Sequence, residues 1–194
     1  MQVGIARRPF REGRDCGAQA GYWRDGARAT LCVTNGLGNG PGAAAAAKVA
    51  QDCVAQHLSQ PLPEVFAACD AALRSTRGVA MGVAVIDRQA GTITYAGVGN
   101  TKAMLVGDAV LRGWSTPGIV GGGYTKLSCQ QLALESAESV ILFTDGIRDG
   151  IDITSYHEQL RRDAQGLADT ILHDWGRDTE DAAVIVLRNS GGAA

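Results

Sequence analysis

The chain is short of aromatic residues, has no block of like charge and no paired-cysteine motif, and each shortage removes a class of function. Phe, Trp and Tyr make up 5% of the 194 residues, although 45% are hydrophobic. A core built this way is filled by small side chains and closely approaching backbones, in keeping with the 26 glycines. Net charge is −2 with Lys and Arg dispersed, so no basic patch is offered to nucleic acid or to an anionic membrane surface. No apolar run approaches the ~18 residues that a membrane span requires. Arg7, Arg8, Arg11 and Arg14 crowd the N-terminal region, but no apolar signal segment follows them. The expectation is a soluble, cytoplasmic protein without nucleic-acid or membrane partners. The five cysteines (Cys16, Cys32, Cys53, Cys69, Cys129) are odd in number, scattered and without a C-x-x-C, which argues against a zinc cage and a disulfide framework. They read as buried free thiols. His57, His157 and His173 read as helix-surface or helix-end residues.

What is present is concentrated in residues 31–48, LCVTNGLGNGPGAAAAAK. A β-branched strand meets Asn35-Gly36, glycines recur at Gly36, Gly38, Gly40 and Gly42, and an alanine run follows. A strand that bends through glycine into a helix brings bare backbone close to a ligand. Gly38-x-Gly40-x-x-Ala43 also fits the dinucleotide fingerprint, but that motif needs a second parallel strand downstream, where Pro63–Ser75 reads as a helix.

Periodicity divides the rest. Gln2–Arg7 reads as a strand and Arg8–Arg14 as a loop. Ala18–Tyr22 and Ala27–Thr34 read as a hairpin around Arg24-Asp25-Gly26. Gly42–Leu58 and Pro63–Ser75 carry helical stripes. Val79–Asp87, Thr92–Gly97, Thr101–Val106 and Ala109–Trp114 read as an antiparallel meander, followed by a loose glycine segment over Pro117–Tyr124. Thr125–Leu134 alternates, and Ser139–Thr144 is apolar enough for a buried central strand. Thr154–Arg162 and Ala164–Trp175 read as helices, Ala182–Arg188 as a last buried strand, and 189–194 as a frayed tail. Runs of strands separated by helix pairs imply α+β, with two antiparallel sheets face to face and a helix pair outside each. No linker or repeat interrupts the chain, so residues 1–194 read as one domain.

Three strand ends carry oxygen ligands: Asn35-Gly36, Asp145-Gly146 and Glu180-Asp181. Brought together at one edge of a sheet sandwich, the carboxylates among them repel one another unless a cation joins them. Oxygen donors on short stems suit Mg²⁺ or Mn²⁺. Two such ions would clamp a phosphoryl group and acidify a water. Asp149 and Asp152 read as capping residues, and Asn100 as a turn residue.

The succession NGLGNG, TRGVAMGVAVID (Thr76–Asp87), YAGVGN (Tyr95–Asn100), FTDGI (Phe143–Ile147) and TEDAAVIVL (Thr179–Leu187) resembles the bacterial metal-dependent (PPM) protein phosphatases of the SpoIIE type. Within them it looks most like the small stand-alone RsbX branch, the stressosome feedback phosphatases. The resemblance runs from Cys16 to Arg188 and implies a four-layer αββα sandwich. It also implies Mn²⁺- or Mg²⁺-dependent phosphoserine/phosphothreonine hydrolysis, by in-line attack of an activated water, on phosphorylated STAS-domain stressosome proteins. Carried over position by position, Asn35, the Gly36 carbonyl, Asp145 and Glu180 would hold metal. Asn35, Asp145 and Asp181 would form the catalytic group, and Arg77 would meet substrate phosphate.

The chain departs from the family pattern at three places. Asn35 stands where the family has a metal-bridging aspartate. Cys16-Gly17-Ala18 replaces Cys/Ser-Gly-Asp, and Glu180-Asp181-Ala182-Ala183 replaces Asp-Asp/Asn-x-Thr. Asp145 alone matches outright. An amide brings no charge and bridges cations poorly, so each lost carboxylate costs on the order of a few kcal/mol of metal binding. The residues therefore leave several readings open. They are a phosphatase with a weakened site, a pseudophosphatase that binds a phosphorylated partner without hydrolysis, or a structural domain with a vestigial site. Asn35-Gly36 is also a dipeptide prone to deamidation, which would return an acid to that position.

Overall fold

The structure is a computed structural model and describes residues 1–189. The strands are β1 (Gln2–Arg8), β2 (Ala18–Asp25), β3 (Arg28–Gly36), β4 (Val79–Asp87), β5 (Thr92–Val98), β6 (Lys102–Val106), β7 (Val110–Gly113), β8 (Gly118–Ile119), β9 (Gly123–Tyr124), β10 (Cys129–Ala133), β11 (Ser139–Phe143) and β12 (Ala182–Arg188). The helices are α1 (Pro41–Gln56), α2 (Leu62–Leu73), α3 (Glu158–Arg161) and α4 (Ala164–Trp175). One five-stranded antiparallel sheet runs β1-β12-β11-β6-β7, and the other runs β10-β5-β4-β3-β2. β8 and β9 form a separate small hairpin.

The sheets face each other, and β3 illustrates why their strands are apolar on both sides. Leu31 and Val33 point into the cluster between the sheets, with Ala84, Ile86, Leu142 and Ile185. Cys32 points the other way, into a cluster with Ala46, Ala50 and Phe66 under α1 and α2. A strand caught between two cores alternates between them instead of between core and water, so its sequence reads as continuously apolar. A third cluster joins Ile141, Val184 and Val186 to Leu167, Ala168 and Ile171 of α4, completing the αββα layering. The α+β expectation and the four layers are therefore present.

Several expectations need correction. The four-strand meander does not exist as one sheet. β4 and β5 pair in the second sheet, whereas β6 and β7 pair in the first, so the chain crosses the sandwich at Gly99-Asn100. Gly99 has φ +84°, and a Cβ there would stand 2.8 Å from Cβ of Ala80, so the crossover requires glycine. The expected helix Thr154–Arg162 is broken into a 3₁₀ turn (Ile153–Ser155) and the short α3. Asp152 Oδ1 accepts from the Thr154 N–H, favouring a local turn over a continuous helix. The outer layer there is one full helix and one turn, not a matched pair. The loose segment Pro117–Tyr124 contains the β8–β9 hairpin, and the strand expected from Thr125 begins at Cys129. All five cysteines are free. Cys32, Cys53 and Cys69 are buried as expected, but Cys16 is half-buried and Cys129 exposed. Asn189 is held by its N–H on Glu138 O at 2.8 Å, and the rest of the expected frayed tail lies outside the described residues.

Candidate active site

Asn35 occupies the last turn of the pleat in β3, paired with Ala18 of β2 on one side and Ala80 of β4 on the other. Gly36 follows because nothing larger fits: a Cβ there would overlap the carbonyl oxygen of Ala43 in α1. Asp145 leaves the first sheet just beyond β11. Thr144 staples that strand end to β12, its N–H donating to Ala183 O at 3.0 Å and its Oγ1 accepting from the Ala183 N–H at 3.1 Å. Asp181 immediately precedes β12. The chain thus delivers one residue from the second sheet and a pair of strand ends from the first to the same mouth.

These ends line a cavity of about 380 Å³ that includes Asn35, Gly36, Asp145, Glu180 and Asp181, together with Phe10 and Asn100. Five of the six residues singled out from the sequence are therefore brought together. Arg77 is not in the cavity wall. It lies over the glycine bend, beside Gly38 and Gly42, with Nη1 3.5 Å from Asn39 O.

The carboxylates do not depend on a shared cation to relieve their repulsion. Asn35 Nδ2 donates to Asp145 Oδ1 at 2.7 Å. Asn100 Nδ2 donates to the other oxygen, Oδ2. Asp181, only 6% exposed, accepts from the Phe10 N–H at 2.6 Å and from the Gly17 N–H at 2.7 Å. Glu180 stands exposed at the rim. Each acid has its own means of charge dispersal, by amides, by backbone N–H groups or by water.

Among the described residues no group of three His, Cys, Asp or Glu side chains is placed to hold a metal ion. Ala18, at the position of the missing acid, is paired with Asn35 and adds no ligand. The donors that remain at this mouth are oxygens, the type a hard cation takes. With its Nδ2 committed to Asp145, Asn35 turns Oδ1 into a buried place without a protein partner. Such an orphaned oxygen is satisfied by a cation or water.

Asn100 is the site residue that sequence reasoning missed. It was expected to be a turn residue, and it is one, but the crossover between sheets also aims it at Asp145. Its place in the YAGVGN segment was the available signal. The N–H groups of Phe10 and Gly17 carry no sequence signature at all. Asp149 pairs with Lys102. The deamidation route is opposed by the strand: the Gly36 N–H donates to Gly17 O at 3.0 Å, and Asn35 is extended between two partners.

Two facing antiparallel sheets, outer helices and acidic strand ends meeting at the mouth between the sheets define a PPM (PP2C-like) phosphatase fold. The chain belongs to the SpoIIE family: residues 25–190 match the family described as Stage II sporulation protein E (SpoIIE). Among solved structures, a chain from the bacterial stressosome is similar at 30% identity, covering 96% of this chain and 98% of that one, with TM-score 0.87. It is described as part of a modular system adapted to control secondary messenger signaling. RsbX in complex with magnesium is similar at 21% identity over 95% of this chain and 93% of that one, with TM-score 0.81. The phosphatase domain of SpoIIE from Bacillus subtilis, with a fragment of its regulatory domain, is similar at 19% identity, covering 97% of this chain and 62% of that one, with TM-score 0.76. Among curated proteins, none matches the chain. No helix among the described residues is long and apolar enough to cross a membrane.

Proposed function

We propose that this chain is a phosphoserine/phosphothreonine protein phosphatase working with one hard cation, Mg²⁺ or Mn²⁺. Its substrates would be phosphorylated STAS-domain proteins of a stressosome, in the cytoplasm. The observation that carries this reading is the buried, unpartnered Oδ1 of Asn35 beside the Asp145 carboxylate. Asp145, Glu180, Asn35 Oδ1 and the Gly36 carbonyl would hold the ion, which when bound supplies positive charge to phosphoryl oxygens and acidifies water. Asn100 orients Asp145 by its hydrogen bond. Asp181 holds Phe10 of the cavity wall and the Gly17 backbone, and each of its oxygens keeps a lone pair able to take a proton from water. Arg77, over the outer side of the bend, would meet the phosphate as it enters. The stressosome assignment is supported by the similarity to the stressosome chain and to RsbX.

A pseudophosphatase is the second reading, and one observation favours it. Both oxygens of Asp145 already have amide donors, so this carboxylate is satisfied without an ion. Calorimetric titration with Mn²⁺, and phosphopeptide hydrolysis with and without chelator, separate the two. Metal uptake and chelator-sensitive turnover by the native chain support the phosphatase. No uptake and no turnover, both recovered in Asn35→Asp, would leave a phosphoprotein-binding role.

A further inference from the structure

We propose that Ser115 is a positioning residue of the acidic site: its hydroxyl, held by Tyr95, clasps Thr101 and so fixes the crossover from which Asn100 donates to Asp145. Its effect on turnover rests on the phosphatase reading; its effect on Asn100 does not.

Asn100 lies in the short crossing between β5, which ends at Val98, and β6, which begins at Lys102. Both of its neighbours are tied to consecutive residues of the segment that follows β7. The Gly99 N–H donates to Thr116 O at 2.9 Å, and Thr101 O accepts from Ser115 Oγ at 2.7 Å. The Thr116 N–H in turn donates to Gly97 O at 2.8 Å, which anchors the segment itself. A crossing fastened on either side of one residue leaves that residue little backbone freedom, and its side chain is aimed accordingly.

The bonds of Ser115 are fully specified. Its one hydroxyl hydrogen goes to the Thr101 carbonyl, which can only accept. Tyr95 Oη, 3.0 Å away, and Thr101 Oγ1, 3.2 Å away, therefore donate to Ser115 Oγ and use its two lone pairs. Burial raises the Tyr95 pKa above its ordinary value of 10.0, which keeps the phenol protonated for that role.

Tyr95 belongs to β5 in the second sheet, whereas Thr101 and Ser115 flank β6 and β7 in the first, so the three hydroxyls bridge the sheets beside the crossover. Room is kept for them: a Cβ at Gly97 would overlap Ser115 Oγ. A polar cluster with every hydroxyl hydrogen placed admits one arrangement where apolar packing would admit several. Ser115, Thr101 and Asn100 line one groove, and Asn100 is shared with the acidic cavity. The change on losing the Ser115 hydroxyl is therefore felt first at the amide that donates to Asp145 Oδ2. Asn35, the other donor to Asp145, is held in β3 between β2 and β4 and does not depend on the clasp.

The test follows NMR relaxation of the Asn100 and Asn35 side-chain amides in the full chain, in chelator. It compares the native protein with Ser115→Ala, Ser115→Thr and Tyr95→Phe, and with Ile171→Val in the buried face of α4 as a control for general destabilisation. Thermal midpoints establish folding, and Tyr95→Phe carries the comparison if Ser115→Ala does not fold. Ser115→Ala should lower the order parameter of the Asn100 amide below about 0.6, a flexible value, and Tyr95→Phe should lower it less. Ser115→Thr, which keeps the hydroxyl, should retain the native value, and the Asn35 amide should be unchanged throughout. With Mg²⁺, Ser115→Ala should reduce kcat for p-nitrophenyl phosphate on the order of tenfold at unchanged KM. Failure of the native chain to hydrolyse this probe overturns the phosphatase reading, while the relaxation series still decides the clasp. An unaltered Asn100 amide in Ser115→Ala or in Tyr95→Phe overturns the positioning proposal, as does equal loosening of Asn35 or the same loosening of Asn100 in Ile171→Val.

Discussion

The side-chain amide of Asn35, at the end of β3 in one sheet, donates to Asp145 Oδ1 at 2.7 Å, beyond the end of β11 in the other. This bond closes the mouth of the sandwich where a cation would otherwise hold the two strand ends together. Replacing Asn35 by Asp puts two carboxylates in contact, and like charges at that distance demand a proton or a cation. In chelator, Asn35→Asp should lower the thermal midpoint by about 5 °C, corresponding to ~2 kcal/mol. Divalent affinity by calorimetry should rise at least tenfold, or about 1.4 kcal/mol. Unchanged affinity would count against a metal role for this position.

Asn100 supplies the second donor to Asp145. The two amides brace one carboxylate, so their contributions should be coupled. A double-mutant cycle of Asn35→Ala and Asn100→Ala, read by denaturant midpoints, should return a coupling of about 0.5–2 kcal/mol in chelator. Saturating Mg²⁺ should shrink it, because an ion competes for the same oxygens. A cycle that closes to zero in chelator would remove the bracing role of Asn100.

Asp181 ties the N-terminal segment to the site through the N–H groups of Phe10 and Gly17. Asp181→Ala leaves those donors without their acceptor and should cost roughly 2–4 kcal/mol. Amide exchange at Phe10 and Gly17 should accelerate more than at residues of β4. Unaltered protection at both amides would contradict the clamp.

Burial pushes the thiols of Cys32 and Cys69 far above their ordinary value of 9.0. Above that pH the unfolded chain releases protons that the folded chain retains. Stability is therefore complete below pH 9 and falls above it, by about 1.4 kcal/mol per pH unit for each thiol. Denaturant midpoints across the alkaline range should decline, and Cys32→Ala should flatten the slope. Thiol labelling of the folded protein should reach exposed Cys129 before Cys32 or Cys69.

Gly36 marks where β3 and α1 touch. A Cβ at this position would overlap the Ala43 carbonyl, part of helix backbone that cannot yield like a flexible side chain. Gly36→Ala should cost about 3 kcal/mol or more, while Gly26→Ala, where a Cβ would meet open space at φ +56°, should cost only the backbone strain of about 1–2 kcal/mol. Equal thermal midpoints for the two variants would refute the close approach.

Local sequence determined which segments are strands and helices wherever a single rule dominated. The alanine run and Pro41 specify α1, and the unbroken apolar runs of β11 and β12 specify strands buried on both faces. The acidic and amide strand ends were also legible, because turn chemistry places Asn-Gly and Asp-Gly at the ends of strands. Three things were decided only by tertiary structure. The sheet to which β6 and β7 belong depends on the crossover at Gly99-Asn100, since hairpin spacing alone reads as a continuous meander. The role of Asn100 depends on where that crossover aims it. The state of the acids depends on partners distant in sequence: Asp145 meets Asn35 across 110 residues, and Asp181 meets Gly17 across 164. Periodicity and turn propensity act over a few residues, whereas the charge of a carboxylate is balanced by whatever the fold brings within hydrogen-bond distance.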